Sequence, residues 1–213
     1  SAVCRRRFST TSGEPIGVTF TEQGLVRYYY FGEEQAAGYE RLRGLFPGKG
    51  ILLIGRSADG RVDLVFSASM TERGSIHVCE DGRSECELVA TVAPWLDGKP
   101  LSETLALDVP SSDGLVVEAF LTLPASGADS VPLLALPHGG PIGVSDDRYF
   151  SSEVQWLAHN GYAVLQVNYR GSRGYGEEFK EAGLRQWGRG IEDDIEAAVM
   201  QVLAEYPQID ADR

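Results

Sequence analysis

Two strand-sized runs in the second half of the chain are apolar at nearly every position, and this limits the folds open to it. Val131 to Leu136 and Tyr162 to Val167 are each typical of a strand covered on both faces, as in a parallel sheet. Apolar residues recur at helical spacing in the segments that follow them, Phe150 to Asn160 and Ile191 to Tyr206. The order strand, helix, strand, helix predicts a parallel sheet joined by right-handed crossovers.

The first part of the chain has a different pattern, in which short β-rich runs are separated by turn residues. Its predicted strands are Leu25 to Phe31, Ile51 to Ile54, Val62 to Ser67, Ser75 to Cys79 and Cys86 to Val92. Asp-Gly pairs at 59–60 and 81–82 favour tight hairpins, so we expect consecutive hairpins of an antiparallel sheet. Four such strands in series fit a blade of a β-propeller, although a fragment of a β-sandwich would show the same pattern.

The pattern changes near residue 97, after a segment rich in turn residues at 94–100. Two further strands, Glu103 to Val109 and Leu115 to Leu123, then precede the first predicted helix. We therefore expect one domain over residues 1–96 and a second, of α/β type, over residues 97–213.

The composition indicates a folded, acidic protein. Of the 213 residues 43% are hydrophobic, which is ample for a sizeable core, and the formal net charge is −12. Such an excess of carboxylates repels nucleic-acid phosphates and anionic lipids, so we expect neither nucleic acid nor a membrane surface as a partner. No apolar run approaches the ~18 residues that cross a bilayer.

The three cysteines fit neither a disulfide framework nor a zinc motif, so we expect no metal and a reducing cytoplasm. Cys79 and Cys86 would face each other across a hairpin loop at 81–84. A bridge between them and two reduced, half-buried thiols are both open at this point. The chain begins at Ser1 without a Met or a secretion signal, and we interpret it as an internal piece of a longer protein.

The candidate site is the turn His138-Gly139-Gly140-Pro141, which directly follows the strand at 131–136. Glycine has no Cβ, so the backbone can turn sharply and aim its amides into an open crevice, where they stabilise a developing oxyanion. Ligands of open α/β sheets bind beyond the C-terminal ends of the strands, where this turn lies. The pattern predicts acyl-transfer chemistry, with an ordinary glycine turn as the alternative.

Other polar residues near the predicted sheet end are weaker candidates. Arg170 is predicted either to pair with Asp193 or Asp194 or to contact the substrate. The glycines between Gly171 and Gly176 have the reverse of the spacing in a dinucleotide-binding loop, so we expect no nucleotide cofactor. No Gly-x-Ser-x-Gly, the turn that carries the nucleophile of α/β-hydrolases, occurs in the chain.

Several motifs accompany the turn in a fixed order. They are Gly161-Tyr162-Ala163-Val164-Leu165, then Asn168-Tyr169-Arg170-Gly171-Ser172-Arg173-Gly174-Tyr175-Gly176, then Phe179 and Trp187-Gly188. With the turn, they make residues 100–213 similar to the prolyl oligopeptidase family of serine peptidases, and to its acylaminoacyl-peptidase-like branch in particular. The resemblance implies the N-terminal half of an α/β-hydrolase domain, with a parallel sheet and flanking helices, preceded by antiparallel strands from the end of a β-propeller.

The resemblance also implies an activity and a set of site residues. Members of the family hydrolyse short peptides through an acyl-enzyme, with a Ser, Asp, His triad and no cofactor. The Gly140 N–H resembles the first oxyanion donor, with Gly139 as the alternative, and His138 resembles a residue that shapes the turn and is not a base. The triad serine would follow the last residues of this chain, so we expect the chain alone to be inactive. Glu33 and Glu34 resemble the pair that holds a substrate amine in dipeptidyl peptidases, although an exposed loop pair is the simpler interpretation.

Two alternative functions stay open. An esterase would use the same glycine turn, although the blade-like first half argues against it. A relative without catalysis would keep the fold and only bind peptides or partner proteins. A downstream turn without a serine would indicate the second alternative.

Overall fold

A computed structural model describes residues 4–9, 13–128 and 130–212 of the chain. By its internal contacts the chain divides into two compact units, Ser1–Lys99 and Pro100–Arg213. The residues on which we based the prediction of an internal piece, Ser1 and the end at Arg213, lie outside the described residues. The assignment of the two parts to a propeller and a hydrolase domain stays a prediction.

The first unit contains two antiparallel sheets built from consecutive hairpins. The first sheet consists of β1 (Cys4–Ser9), β2 (Pro15–Glu22) and β3 (Leu25–Tyr30). The second sheet consists of β4 (Gly50–Arg56), β5 (Val62–Ala68), β6 (Ser75–Glu80) and β7 (Glu87–Thr91). The second sheet therefore has four strands in sequence order, while the predicted strand at 25–31 belongs to the first sheet.

Helix α1 (Glu33–Leu45), which we did not predict, connects the two sheets. Glu33 and Glu34 are exposed in its first turn, where the helix dipole favours anions. They therefore lie on a helix and not on the loop that the simpler interpretation gave them. Buried residues of the helix pack in the core of this unit, which comprises Tyr39, Leu42, Phe46, Ile51, Val65 and Cys79.

A disulfide joins Cys79 and Cys86, at the hairpin between β6 and β7. Of the two alternatives that the sequence left open, the structure has the bridge. Disulfides persist in oxidising compartments and are rare in the cytosol. The bridge therefore does not support the predicted cytoplasmic location, which stays a prediction. Among the helices of the described residues, none combines the length and the apolar character needed to cross a membrane.

The second unit contains a five-stranded mixed sheet in the order β12-β10-β11-β9-β8. Its strands are β8 (Thr104–Pro110), β9 (Val116–Thr122), β10 (Val131–Ala135), β11 (Ala163–Asn168) and β12 (Ile209–Asp210). β10 is parallel to β11 and β12, whereas β9 is antiparallel to β8 and β11. The predicted sheet is therefore parallel only from β11 to β12, because β9 pairs antiparallel with β11. β8 is antiparallel to β9 because a short hairpin joins them.

Three helices follow the strands of this unit: α2 (Ser152–His159), α3 (Glu177–Glu181) and α4 (Gly190–Glu205). The order β10, α2, β11, α4 matches the predicted strand and helix pattern. Every residue of β11 is buried, as expected for a strand with neighbours on both sides and both faces covered. Ile191, Ala198 and Val202 of α4 are buried in the same core as β9 and β11.

Candidate active site

The turn at 138–141 begins directly at the carboxyl end of β10. The Leu136 amide still donates to the Leu165 carbonyl at 2.8 Å, so the ladder with β11 continues one residue beyond the strand itself. The neighbouring strand β11 ends at Asn168, and the segment 169–173 follows it at the same end of the sheet. The structure thus brings the turn and this segment together, as we expected from the parallel strands.

The two glycines of the turn differ in backbone conformation and in the space around them. Gly140 has φ of +127°, and a Cβ there would lie 2.9 Å from Val144 Cγ2. A Cβ on Gly139 would meet no atom within 4 Å. Both glycines are exposed, and neither amide donates a hydrogen bond to another residue that the structure describes. Only Gly140 therefore requires glycine for conformational reasons.

The His138 side chain is held from three directions. Its Nε2 lies 2.8 Å from Ser172 Oγ, and its Nδ1 lies 3.0 Å from the Gly139 carbonyl oxygen and 3.2 Å from the Tyr169 hydroxyl. The ring stacks on Tyr169 with 4.4 Å between centroids, and the Tyr169 hydroxyl donates to the His138 carbonyl at 2.5 Å. Ser172 is fully buried, so its hydroxyl faces His138 and not a substrate.

The far side of the turn is attached to the same segment by backbone hydrogen bonds. The Gly143 amide donates to the Gly171 carbonyl, and the Arg173 amide donates to the Val144 carbonyl, both at 2.9 Å. Gly171 has φ of +97°, and a Cβ there would lie 2.5 Å from Ile142 Cδ1. The close approach of the two loops therefore depends on a glycine at 171.

Arg170 anchors this segment to two other parts of the unit. Its Nε and Nη2 donate to the two oxygens of Asp194 on α4 at 2.9 and 2.8 Å. Its Nη1 and Nη2 donate to Asp113, in the hairpin between β8 and β9, at 2.8 and 3.1 Å. Hydrogen bonds from Arg170 to both carboxylates raise its pKa, so it stays charged. The ion pair that we considered is present with Asp194, and substrate contact by Arg170 stays a prediction.

A second polar group lies beside the turn. The Asp146 amide donates to Asn168 Oδ1 at 2.8 Å, and Asn168 Nδ2 donates to the Tyr175 hydroxyl at 2.7 Å. Burial raises the pKa of Asp146. Burial, together with the charges of Asp146 and Glu192, raises the pKa of Tyr169 to about 12, so its hydroxyl keeps its proton.

The expected absence of a cofactor stays a prediction. No group of three or more His, Cys, Asp or Glu side chains that could hold a metal ion occurs within 4–9, 13–128 and 130–212. The roles predicted for Gly140, Gly139 and His138 stay predictions. Ser172 and Tyr169 have no predicted role beside His138, because 34 and 31 residues separate them from it and no local sequence pattern links them.

Comparison with known proteins confirms the resemblance to the prolyl oligopeptidase family. Residues 148–213 match the model of that family. Dipeptidyl aminopeptidase BIII from Pseudoxanthomonas mexicana is 42% identical over 114 residues, which are 50% of this chain and 16% of that protein. The acylamino-acid-releasing enzyme of Homo sapiens is 38% identical over 100 residues, which are 43% of this chain and 13% of that enzyme.

The fold is similar to that of an acylaminoacyl peptidase from Pyrococcus horikoshii. The TM-score is 0.69 at 25% identity, over 92% of this chain and 30% of that one. The chain therefore spans less than a third of each of these proteins, and the activity of the whole protein is a matter for proposal.

Proposed function

We propose that this chain is part of a serine peptidase of the prolyl oligopeptidase type, which hydrolyses short peptides through an acyl-enzyme without a cofactor. One observation carries the proposal: Gly139 and Gly140 present exposed amides at the carboxyl end of β10, the strand between β11 and β12. Amides so placed stabilise the oxyanion of a tetrahedral intermediate, and the loss of one donor lowers kcat by roughly 10²–10³-fold.

In this proposal the Gly140 N–H is the oxyanion donor that the chain supplies, with Gly139 as the alternative. His138 shapes the turn and does not act as a base, since its ring nitrogens face Ser172, Tyr169 and the Gly139 carbonyl. Arg170 holds the neighbouring segment through Asp113 and Asp194. The nucleophile comes from a part of the protein outside residues 1–213, so the chain alone is inactive.

We further propose that residues 1–96 are the last strands of a β-propeller and residues 97–213 the first part of an α/β-hydrolase domain. The consecutive antiparallel hairpins of the first unit support the first assignment. The parallel strands β10, β11 and β12, with α2 and α4 between them in sequence, support the second.

Two substrate classes follow from the names of the relatives. A dipeptidyl aminopeptidase acts on peptides with a free amino terminus, and an acylamino-acid-releasing enzyme acts on peptides with an N-acylated first residue. The test therefore uses one chromogenic substrate of each class, alanyl-alanine 4-nitroanilide and acetyl-alanine 4-nitroanilide. The enzyme is the product of the entire reading frame that contains this sequence. We expect that frame to encode a strand and then Gly-x-Ser-x-Gly within about a dozen residues after Arg213, followed by an Asp and a His.

The expected result is hydrolysis of at least one 4-nitroanilide by the full-length protein. The variant in which alanine replaces the serine of the Gly-x-Ser-x-Gly turn should hydrolyse neither. Residues 1–213 alone should hydrolyse neither. If the Gly-x-Ser-x-Gly turn is intact and the protein hydrolyses 4-nitrophenyl acetate but neither amide, the protein is an esterase and the proposal is wrong. A frame in which the serine is missing would replace it with a binding protein.

A further inference from the structure

The orientation of the Gly140 amide is set by the peptide group to which it belongs. The carbonyl of Gly139 and the N–H of Gly140 are the two ends of one planar peptide unit, and they point in opposite directions. The Gly139 carbonyl oxygen lies 3.0 Å from His138 Nδ1. A hydrogen bond from Nδ1 to this oxygen therefore aims the Gly140 N–H away from His138.

The hydrogen bonds around His138 determine which ring nitrogen carries the proton. The Tyr169 hydroxyl gives its only hydrogen to the His138 carbonyl, so towards Nδ1 its oxygen can only accept. The Gly139 carbonyl can also only accept. Nδ1 faces two acceptors and must carry the hydrogen, so in the neutral ring Nε2 is the acceptor and Ser172 Oγ donates to it.

We propose that Ser172 and Tyr169 are positioning residues for the oxyanion site, because they hold His138 in the Nδ1–H tautomer that orients the Gly139–Gly140 peptide. The inference rests on the proposed function for its catalytic consequence. Both residues are buried: Ser172 has no exposed surface, and Tyr169 is 2% exposed. Each therefore acts through His138 and has no contact with the substrate.

The segment that contributes these two side chains also fixes the far side of the turn. Gly171 and Arg173 make backbone hydrogen bonds to Gly143 and Val144. The Ser172 amide donates to the Tyr169 carbonyl at 3.0 Å, which closes the segment into a tight turn. The turn at 138–141 is thus attached on both sides to the segment 169–173. The contacts of the His138 ring are the part of this attachment that side-chain substitutions can remove.

The test compares Ser172→Ala and Tyr169→Phe with two matched controls in the full-length protein. The controls are Ser152→Ala, at the exposed start of α2, and Tyr162→Phe, at an exposed tyrosine. Kinetics are measured with whichever 4-nitroanilide the wild type hydrolyses. We expect Ser172→Ala to lower kcat by about tenfold to a hundredfold, with KM within about twofold, as for a small displacement of a group used in the transition state. Tyr169→Phe keeps the stacked ring, and should lower kcat by about threefold to tenfold.

Two outcomes would overturn the kinetic part: a kcat for both variants equal to that of the controls, or a rise in KM with kcat unchanged. If Ser172→Ala does not fold, judged by circular dichroism, Tyr169→Phe decides between the same outcomes.

The second measurement is ¹⁵N NMR of the histidine rings in the wild type at pH 8, with His138→Gln for assignment. An Nδ1–H tautomer for His138 is expected, and an Nε2–H tautomer overturns the inference. This result does not depend on turnover, so an inactive wild type with an Nδ1–H ring would refute the proposed function and leave the hydrogen-bond arrangement supported.

Discussion

Each unit buries an aspartate against an arginine, but the two pairs differ in how far the arginine is removed from water. In the first unit Asp63 is buried while the Arg56 side chain is 42% exposed, and the two residues are direct neighbours across β4 and β5. In the second unit Asp194 is 0% exposed and the Arg170 side chain only 10%. The first pair reinforces a hairpin that local sequence already forms. The second holds together segments that are far apart in sequence, and these support the turn at 138–141.

The largest expected effect comes from removing the Arg170 side chain, which pairs with Asp113 and Asp194. Arg170→Met removes the cation beside the buried Asp194 carboxylate and leaves it the hydrogen bond from the residue 170 backbone amide. Removal of one partner of a buried ion pair costs about 3–5 kcal/mol. The matched variant Arg56→Met should cost about 1 kcal/mol, since that arginine is partly solvated and Arg41 stays 3.8 Å from Asp63. Hydrogen exchange followed peptide by peptide measures both losses in the full-length protein. Equal losses in the two units would contradict the comparison.

Reduction of the Cys79–Cys86 disulfide should have the next largest effect, and only on the first unit. The bridge closes a loop with a sequence separation of 7, for which loop-closure entropy gives a stabilisation of about 2–3 kcal/mol. Dithiothreitol should therefore speed hydrogen exchange in β5, β6 and β7. The double variant Cys79→Ser, Cys86→Ser serves as the control and should no longer respond to the reductant. A response confined to the second unit would show that the bridge does not stabilise the hairpin.

Alanine substitution of the two turn glycines should separate their roles. Gly140→Ala puts a side chain on a residue with φ of +127° and 2.9 Å from Val144 Cγ2, which should cost about 1–2 kcal/mol. Gly139→Ala meets no neighbouring atom, so its effect should stay within about 0.5 kcal/mol. Urea unfolding of both variants, followed by circular dichroism, tests this difference. A larger loss for Gly139→Ala would mean that the strain lies at the other glycine.

The smallest expected effect is a pH dependence of opposite sign at one carboxylate in each unit, Glu72 in the first and Asp146 in the second. Burial acts to raise the pKa of Glu72, but hydrogen bonds from Lys49 and Ser75 outweigh it, so the pKa is lowered. Its stabilising contribution is therefore present above the unfolded value of 4.5 and lost as the pH falls through the folded value. Burial raises the pKa of Asp146, so its contribution is full below 3.8 and lost as the pH rises through the folded value.

Two variants isolate these contributions. Glu72→Gln should remove the loss of stability of the first unit on acidification. Asp146→Asn should make the second unit more stable at pH 7, because Asp146 Oδ2 is buried without a hydrogen-bond partner among the described residues. Hydrogen exchange at pH 3 and pH 7, corrected for the intrinsic rate, compares the two units on both sides of the two unfolded values. A loss of stability at pH 7 in Asp146→Asn would contradict the raised pKa.

Patterns local to the sequence were sufficient for the central strands of the second unit. β10 and β11 were predicted because they are apolar at nearly every position. β11 is buried throughout, whereas β10 is fully buried only at Val131, so the prediction that both of its faces are covered was wrong. Helix α1 was missed because only Tyr39 and Leu42 of it are buried, so its sequence shows no continuous apolar face. The mixed character of the sheet was missed because it depends on the antiparallel pairing of β9 with β11, which are far apart in sequence and whose relative direction the apolar pattern does not show.

The position of the candidate site was predictable from the sequence, but the contacts that hold it together were not. The glycines after β10 marked the turn. The contacts that hold it connect His138 with Ser172 and Arg170 with Asp113, residues separated by 34 and 57 positions. Such pairs depend on which loops the sheet brings together, and a serine or aspartate in a turn has the same appearance in the sequence whether or not it meets a distant partner.

The central claim is that the Gly140 amide is an oxyanion donor, and a structure of the full-length protein with a peptidyl chloromethyl ketone tests it most directly. Such a reagent bonds to the catalytic serine and histidine and leaves a tetrahedral centre whose oxygen occupies the oxyanion position. The account predicts that this oxygen lies about 2.7–3.1 Å from the Gly140 nitrogen. An adduct whose oxygen is bound by the Gly139 amide, or by no amide of the turn at 138–141, would contradict it.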